Sequence, residues 1–135
     1  MAAYMADAVA MLRHLVGRDP ERVAEIFDRA NEGIDRIETP PTQIAEVVDT
    51  VKNGQKVAGI EPAGSGREAV RTLLDGPVDV ANLDRSVFFR LDNLYDVYTM
   101  HDAILVAAHK SRQTDGILTN DARIRTYDGD AVVWE

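Results

Sequence analysis

Residues 98–121 read Tyr98-Thr99-Met100-His101-Asp102-Ala103-Ile104-Leu105-Val106-Ala107-Ala108-His109, then a polar linker at 110–115, then Gly116-Ile117-Leu118-Thr119-Asn120-Asp121. The first part predicts a helix that Thr99 can cap. Its run 103–108 is apolar throughout, so we expect this helix at the centre of the fold, covered on nearly all sides. The last part predicts a short strand at 116–119, which ends before Asn120 and Asp121. The rest of the chain is expected to be arranged around this helix and strand.

Two acids lie at the ends of these elements. Asp102 is in the first turn of the helix, and Asp121 comes directly after the strand. In an open α/β sheet, such a helix start and such a strand end face the same crevice. Each acid also has a purely structural interpretation: Asp102 can form a capping box with Thr99, and Asp121 can cap the segment 122–125. The functional interpretation therefore requires further acids that reach the same crevice.

The composition indicates a folded protein. A chain of 135 residues, 45% of them apolar, has room for one domain, 1–135. The absence of cysteine excludes a disulfide framework and a thiolate metal site. The first residues lack the basic region and apolar run of a signal peptide, and no apolar stretch reaches the length of a membrane span. We therefore expect a soluble, cytoplasmic protein with no membrane contact.

The charge balance is acidic. The net charge is -8, with 23 acidic against 15 basic residues. A nucleic-acid-binding protein normally has a basic face, which the net count does not indicate here. One explanation is a partner that is not nucleic acid. The other is a halophilic, high-salt cytoplasm, in which net charge keeps a protein soluble and screening is severe. The Asp-rich, Lys-poor composition favours the second.

Helices and short strands alternate along the chain. Strands are predicted at 2–6, 57–60, 78–81, 116–119 and 131–134. Helices are predicted from Asp7 to Gly17, with Val9 and Leu12 buried, then from Asp19 to Gly33, from Thr39 to Asn53, from 67 to Gly76, and at 83–94, with Val87, Phe88 and Leu91 inward. This alternation predicts an α/β fold with a mostly parallel central sheet flanked by helices on both faces.

Two more acids are candidates for the crevice. Asp7 follows the first strand and precedes a helix, and Glu46 is the only polar residue in the apolar run 44–48. Right-handed crossovers place parallel strand ends on one edge of the sheet, so Asp7 and Asp121 are expected there together. The structural alternatives are that Asp7 is only a helix cap and that Glu46 is only a surface residue.

The order of these four acids resembles the PIN domain family, and within it the VapC-like ribonucleases of toxin–antitoxin systems. The resemblance covers most of the chain. The residues that carry it are Asp7, then Pro40-Pro41 with Ile44-Ala45-Glu46, then His101-Asp102-Ala103, and finally Leu118-Thr119-Asn120-Asp121. The segment 57–93 carries no motif. One departure is at Ala8 and Val9, where the family usually has a hydroxyl or amide residue.

Four carboxylates in one crevice require a positive partner, because their mutual repulsion would otherwise protonate some of them. All-oxygen ligands select Mg²⁺ or Mn²⁺. The resemblance implies phosphodiester hydrolysis of RNA, with Asp7, Asp102 and Asp121 holding the metal and Glu46 ligating it or orienting the attacking water. Thr119 is a plausible hydroxyl that supports the ligands. The resemblance also implies a type II toxin, a homodimer and a protein antitoxin that places a basic side chain in the crevice.

Alternatives of other classes remain. One is a PIN-like module that has lost catalysis and serves in binding or dimerisation; the departure at Ala8 and Val9 supports it, whereas the intact Glu46, Asp102 and Asp121 oppose it. A phosphoacceptor receiver domain would need paired acids near the first strand and a Lys after a late strand, and both are absent. A phosphatase is a remoter enzyme alternative.

The remaining polar candidates are given smaller roles. His101 is expected to point about 100° away from Asp102 on the helix, which gives it a minor role at most. His14 and His109 are interpreted as packing or surface residues. Arg123 and Arg125 could touch a phosphate backbone or form a solvated face.

Overall fold

A computed structural model describes residues 1–135. Its strands are β1 (Ala3–Ala6), β2 (Arg36–Thr39), β3 (Val78–Val80), β4 (Gly116–Leu118) and β5 (Val132–Val133). Its helices are α1 (Ala8–Leu15), α2 (Glu21–Asn31), α3 (Pro41–Lys52), α4 (Gly66–Leu74), α5 (Arg85–Leu94), α6 (Met100–Arg112) and α7 (Ala122–Asp128), with a 3₁₀ turn at Gly129–Ala131. None of these helices combines the length and apolar character that a membrane span requires.

The five strands form one sheet in the order β3-β2-β1-β4-β5. Every pairing is parallel, so the sheet is wholly parallel where the sequence predicted a mostly parallel one. Met5 at the centre of β1 lies opposite Glu38 of β2 and Ile117 of β4. The predicted α/β class is confirmed, and β1 and β4 stand side by side with their carboxyl ends at one edge.

Side chains alternate between the two faces of the sheet, as the pleat of a strand requires. Met5 and Ile117 belong to the core under α5 and α6, whereas Ala6 and Leu118 belong to the core under α1 to α4. All six residues of the run 103–108 in α6 are buried. The predicted central helix is therefore confirmed, and it positions Asp102 at its first turn.

The strand β2 was not predicted. Its sequence is Arg36-Ile37-Glu38-Thr39, and the polar Glu38 breaks the apolar pattern on which strand prediction relies. Glu38 is only 4% exposed. The guanidinium of Arg112, at the end of α6, binds both of its carboxylate oxygens, so the buried charge has a paired and hydrogen-bonded partner. The predicted strand at 57–60 is wrong: only one antiparallel bridge joins Val57 and Ile60.

Two helix faces also differ from prediction. Phe88 was expected inward but is 55% exposed, because Val87, Leu91 and Leu94 form the buried side of α5. Val9 was expected in the core but is 46% exposed. Asp19, where the second helix was predicted to begin, lies outside α2. It instead accepts a hydrogen bond from the His14 ring at 2.8 Å, and the helix begins after Pro20.

Candidate active site

An acidic pocket lies at the carboxyl edge of β1 and β4. Its volume is about 310 Å³. The lining residues come from the start of α1, from α3, from the first turn of α6 and from the loop after β4: Asp7, Ala8, Val9, Gln43, Glu46, Asp102, Asn120 and Asp121. All four acids selected from the sequence therefore line one pocket, although up to 114 positions separate them in the chain.

Asp7 is the most buried of the four acids, with 8% exposure. One carboxylate oxygen, Oδ1, accepts a hydrogen bond from the Ala10 amide at 2.8 Å and so caps α1. The other, Oδ2, accepts from the Thr119 hydroxyl at 2.5 Å. Burial raises the pKa of Asp7 to about 6, against the lowering effect of these two hydrogen bonds, and the charges of Asp102 and Asp121 raise it further.

Thr119 connects two of the acids. Its side chain is fully buried at the end of β4, and its hydroxyl donates to Asp7 while accepting from the Asp121 amide at 3.1 Å. Asp121 in turn caps α7, because its Oδ1 accepts from the Ile124 amide at 2.9 Å. Its second oxygen, Oδ2, accepts no hydrogen bond from the protein. The structure thus places Thr119 as the hydroxyl behind Asp7 and Asp121.

Asp102 is partly buried in the first turn of α6. Burial raises the pKa of Asp102, and the negative charges of Asp121 and Glu46 act in the same direction. The Thr99 hydroxyl lies 3.3 Å from its Oδ2, but Thr99 makes no side-chain hydrogen bond to the helix backbone. The capping box suggested by the sequence is therefore incomplete, and Asp102 is oriented toward the pocket without one.

His101 has a larger role than the sequence suggested. Its Nδ1 lies 2.5 Å from Oε1 of Glu46, so α6 and α3 are joined at the pocket by this pair. Both side chains are partly exposed, at 40% and 44%. The angle of 100° between helical neighbours turned His101 away from Asp102, as expected, but toward α3. No local pattern could have shown this, because 55 positions separate the two residues.

Gln43 is a pocket residue that the sequence analysis missed. It is 3% exposed, and its Oε1 accepts a hydrogen bond from the Ala8 amide at 2.8 Å. Its Nε2 lies 3.5 Å from the carbonyl oxygen of His101. One side chain therefore links the elements that carry Asp7 and Asp102. The available clue was spacing: Gln43 precedes Glu46 by three residues and so shares its helix face.

The donor set of the pocket suits a divalent cation. It consists of carboxylate oxygens, which Mg²⁺ and Mn²⁺ prefer. Burial is the main cause of the raised pKa values of Asp7 and Asp102, and the charges of neighbouring acids raise both pKa values further, so a bound cation would stabilise the ionised carboxylates. No three of the acids are drawn together into a preformed metal-binding group. The residues fit such an ion by the chemistry of their oxygen donors and by their shared pocket.

The other histidines have structural roles, as predicted. His14 stacks on Phe27 with ring centroids 4.0 Å apart. His109 is half-buried, with its Nδ1 2.7 Å from the Thr114 hydroxyl, and burial lowers its pKa.

The two arginines of α7 are held by neighbouring groups. Arg123 donates to the carbonyl of Val97 at 2.8 Å. Arg125 donates to Oδ1 of Asn120 at 3.1 Å, which places its cation beside the rim of the acidic pocket.

No protein-family model matches the chain, and no curated protein matches its sequence. Solved structures do match its fold. A chain in the crystal structure of VapBC2 from Rickettsia felis, bound to a DNA fragment from its promoter, aligns with a TM-score of 0.72 and 11% identity over 98% of this chain and 99% of that one. A chain of VapBC-1 from nontypeable Haemophilus influenzae aligns with a TM-score of 0.63 and 14% identity over 98% and 96%. The predicted PIN-like, VapC-like fold is confirmed.

Proposed function

We propose that this chain is a metal-dependent endoribonuclease and the toxin of a type II toxin–antitoxin pair. The observation that carries the proposal is the convergence of Asp7, Glu46, Asp102 and Asp121 on one pocket at the carboxyl edge of a parallel sheet. The likeness to chains of two VapBC complexes supports the same conclusion at the level of the fold.

Asp7, Asp102 and Asp121 would hold Mg²⁺ or Mn²⁺. When bound, such an ion lowers the pKa of water and neutralises a phosphate. Thr119 fixes the carboxylate of Asp7 and the backbone at Asp121, so these two donors are preorganised.

Glu46 is the acid best placed to act on water. It is the more exposed end of the pair with His101, and only one of its oxygens, Oε1, is engaged by the ring. Oε2 is left available for a water molecule or the metal. His101 therefore serves as a positioning residue, which holds Glu46 at the pocket wall.

The negative net charge of the chain opposes the binding of RNA. At a net charge of -8, long-range attraction of RNA is weak, and Arg125, which donates to Asn120 of the pocket lining, supplies a cation at the rim. We propose that RNA is held mainly through the metal and a few arginines. An acidic pocket of this kind also suits an antitoxin segment that inserts an Arg side chain. Where such a complex binds DNA, the basic surface would come from the antitoxin.

The experiment is a cleavage assay on single-stranded and structured RNAs with Mn²⁺, Mg²⁺ or chelator, at low and high salt. Cleavage is expected only with metal, and Asp121→Asn is expected to abolish it. Glu25→Gln, which removes an exposed acid on α2, is the matched control and should cleave like the wild type. A well-folded wild type that cleaves nothing under any of these conditions would favour the inactive binding module instead.

A further inference from the structure

Helix α7 carries an exposed aromatic ring close to the acidic pocket. The helix begins directly after Asp121, and Tyr127 lies six residues beyond that acid, which corresponds to about 9 Å along the helix axis. Tyr127 is 56% exposed. A nucleic acid strand with one phosphate in the pocket can reach this ring within a few nucleotides, because stacked nucleotides rise about 3.4 Å each.

The ring of Tyr127 is held in place from one side. It makes a T-shaped contact with the buried ring of Tyr98, with the ring centres 6.1 Å apart and the ring planes at 82°. Tyr98 is itself fixed, because its hydroxyl donates a hydrogen bond to the carboxylate of Asp128. Tyr127 therefore has a defined orientation, while more than half of its surface remains available to a ligand.

Tyr98 connects this ring to the acidic pocket. It directly precedes Thr99, whose hydroxyl lies 3.3 Å from Oδ2 of Asp102. Burial is the main cause that raises the pKa of Tyr98, and the charges of Asp121 and Asp102 contribute in the same direction. The two tyrosine rings therefore stand beside the wall of the pocket that α6 and α7 form.

A cation accompanies the ring. Arg123 precedes Tyr127 by four residues, so the two side chains share one side of α7. The Nη1 atom of Arg123 donates to the carbonyl oxygen of Val97 at 2.8 Å, and its other guanidinium N–H groups donate to no protein group. We refer to Arg123 and Tyr127 as the α7 flank. An aromatic ring beside a positive charge is the combination that binds single-stranded nucleic acids.

We propose that the α7 flank binds one unpaired nucleotide of the RNA substrate, with its base stacked on Tyr127 and a backbone phosphate against Arg123. This inference rests on the proposed function, because it takes the acidic pocket as the place where a neighbouring phosphodiester is cleaved. The base must be unpaired, since only a base that has left its own helix can stack on a side chain. The α7 flank thus sets which linkage of the strand enters the pocket.

Charge and size favour a nucleotide as the occupant. The exposed charged residues of α7 are Arg123 and Arg125, whereas Asp128 is partly buried and lies 3.4 Å from the Lys110 ammonium. In a chain with a net charge of -8, this is a local surface that attracts a phosphate. A single ring is too small for a standard protein interface, which buries about 800 Å² per partner, but it is large enough for one base.

The test is a binding measurement in chelator at low salt, where binding requires no cleavage. One probe is a single-stranded RNA of about eight nucleotides that carries a fluorescent base analogue quenched by stacking, and the other is the same backbone with every base removed. Tyr127→Ala should bind the RNA about tenfold more weakly than the wild type and lose the quenching, because it loses one stacked base. Its binding of the abasic strand should be unchanged. Tyr127→Phe keeps the ring and should behave like the wild type.

Two further variants separate charge from stacking. Arg123→Gln should weaken the binding of both strands equally and lower the salt dependence of binding by about one phosphate contact, because such a contact carries no information about the base. Phe89→Ala removes a ring that is 71% exposed on α5, and it is the control. It should bind both strands like the wild type.

Several results would overturn the proposal. These are equal binding of the RNA by the wild type and Tyr127→Ala, a loss that is the same for both strands, a Tyr127→Phe variant as weak as Tyr127→Ala, or a wild type that binds no RNA. The cleavage assay is read separately. A wild type that cleaves RNA, with Tyr127→Ala binding and cleaving equally well, would refute only the α7 flank. Binding that depends on Tyr127, without cleavage in any metal, would refute only the nuclease.

Discussion

The carboxylate of Asp7 destabilises the folded protein at neutral pH, and this cost can be measured. Burial raises the pKa of Asp7 to about 6 from an ordinary value of 3.8. A difference of this size corresponds to about 3 kcal/mol of unfolding free energy. A group whose folded pKa is raised contributes its full stability below the unfolded pKa, near pH 3.8, and loses it as pH rises through the folded pKa, near pH 6. The wild type therefore bears the whole cost above about pH 7.

The substitution Asp7→Asn removes the charge and keeps the shape. The amide oxygen can still accept from Ala10, because Asn caps helices about as well as Asp. The amide nitrogen can donate to the Thr119 hydroxyl oxygen, so the contact is kept with its direction reversed, and the hydroxyl proton gives up its Asp7 acceptor. We expect the variant to be more stable than the wild type by about 3 kcal/mol near pH 7.5, and by only about 0.5 kcal/mol near pH 4.

The assay is urea unfolding with chelator at both pH values, supported by thermal melts, in which a gain of this size corresponds to roughly 10 °C. The exposed Asp130→Asn is the control and should match the wild type at both pH values. If Asp7→Asn is no more stable than the wild type near pH 7.5, then burial of the ionised Asp7 carboxylate does not destabilise the folded protein as inferred here. Adding Mn²⁺ at a thousand times the dissociation constant of the wild type should reverse the order, because the wild type then gains about 4.1 kcal/mol. Equal metal-induced gains would remove Asp7 from the ligands.

Three further outcomes are expected. Asp102→Asn should have a higher melting temperature than the wild type in chelator, a much smaller increase in melting temperature on adding Mn²⁺, and weak RNA cleavage. Increases with Mn²⁺ equal to those of the wild type would contradict a metal role for Asp102. Gln43→Leu should lower the free energy of unfolding in urea by about 1–3 kcal/mol, because the buried Ala8 amide is left without an acceptor. The variant should also bind Mn²⁺ more weakly. Unchanged stability would show that water replaces the hydrogen bond to Ala8. The lowered pKa of His109 makes the wild type lose stability as pH falls below about 6.5, so His109→Asn should flatten the dependence of the unfolding free energy on pH in that range. Parallel curves for the wild type and the variant would contradict this.

The elements with strong local patterns were predictable from the sequence. Helix α6, with its apolar run, and the short strand β4 could each be predicted from the local sequence alone. The strand β2 could not be predicted because the polar Glu38 interrupts its apolar pattern. Glu38 can be buried there only because it pairs with Arg112, which lies 74 positions away in the sequence. Phe88 was misplaced because a helix with apolar residues on two sides gives no unique inward face from its period alone.

The candidate site also contains residues that could be selected from the sequence and contacts that could not be predicted from it. Asp7, Asp102 and Asp121 could be selected because each lies at an element end, where the topology of a parallel sheet predicts convergence. The contacts of Gln43 and His101 could not be predicted, because they cross from α3 to α1 and α6 over 35 to 58 positions. Such contacts depend on how helices pack, which the sequence of one chain does not display.

The structural and functional interpretations of these acids are compatible. Asp7 and Asp121 each use one oxygen, Oδ1, to cap the helix that follows, and both residues line the pocket. The cap fixes the rotamer of the carboxylate, and the partial positive charge of the helix N-terminus offsets part of the repulsion between neighbouring acids. Capping is therefore the means by which this fold holds two carboxylates close to each other. A capping role for Asp7 or Asp121 is therefore no argument against the proposed role of the same residue as a metal ligand.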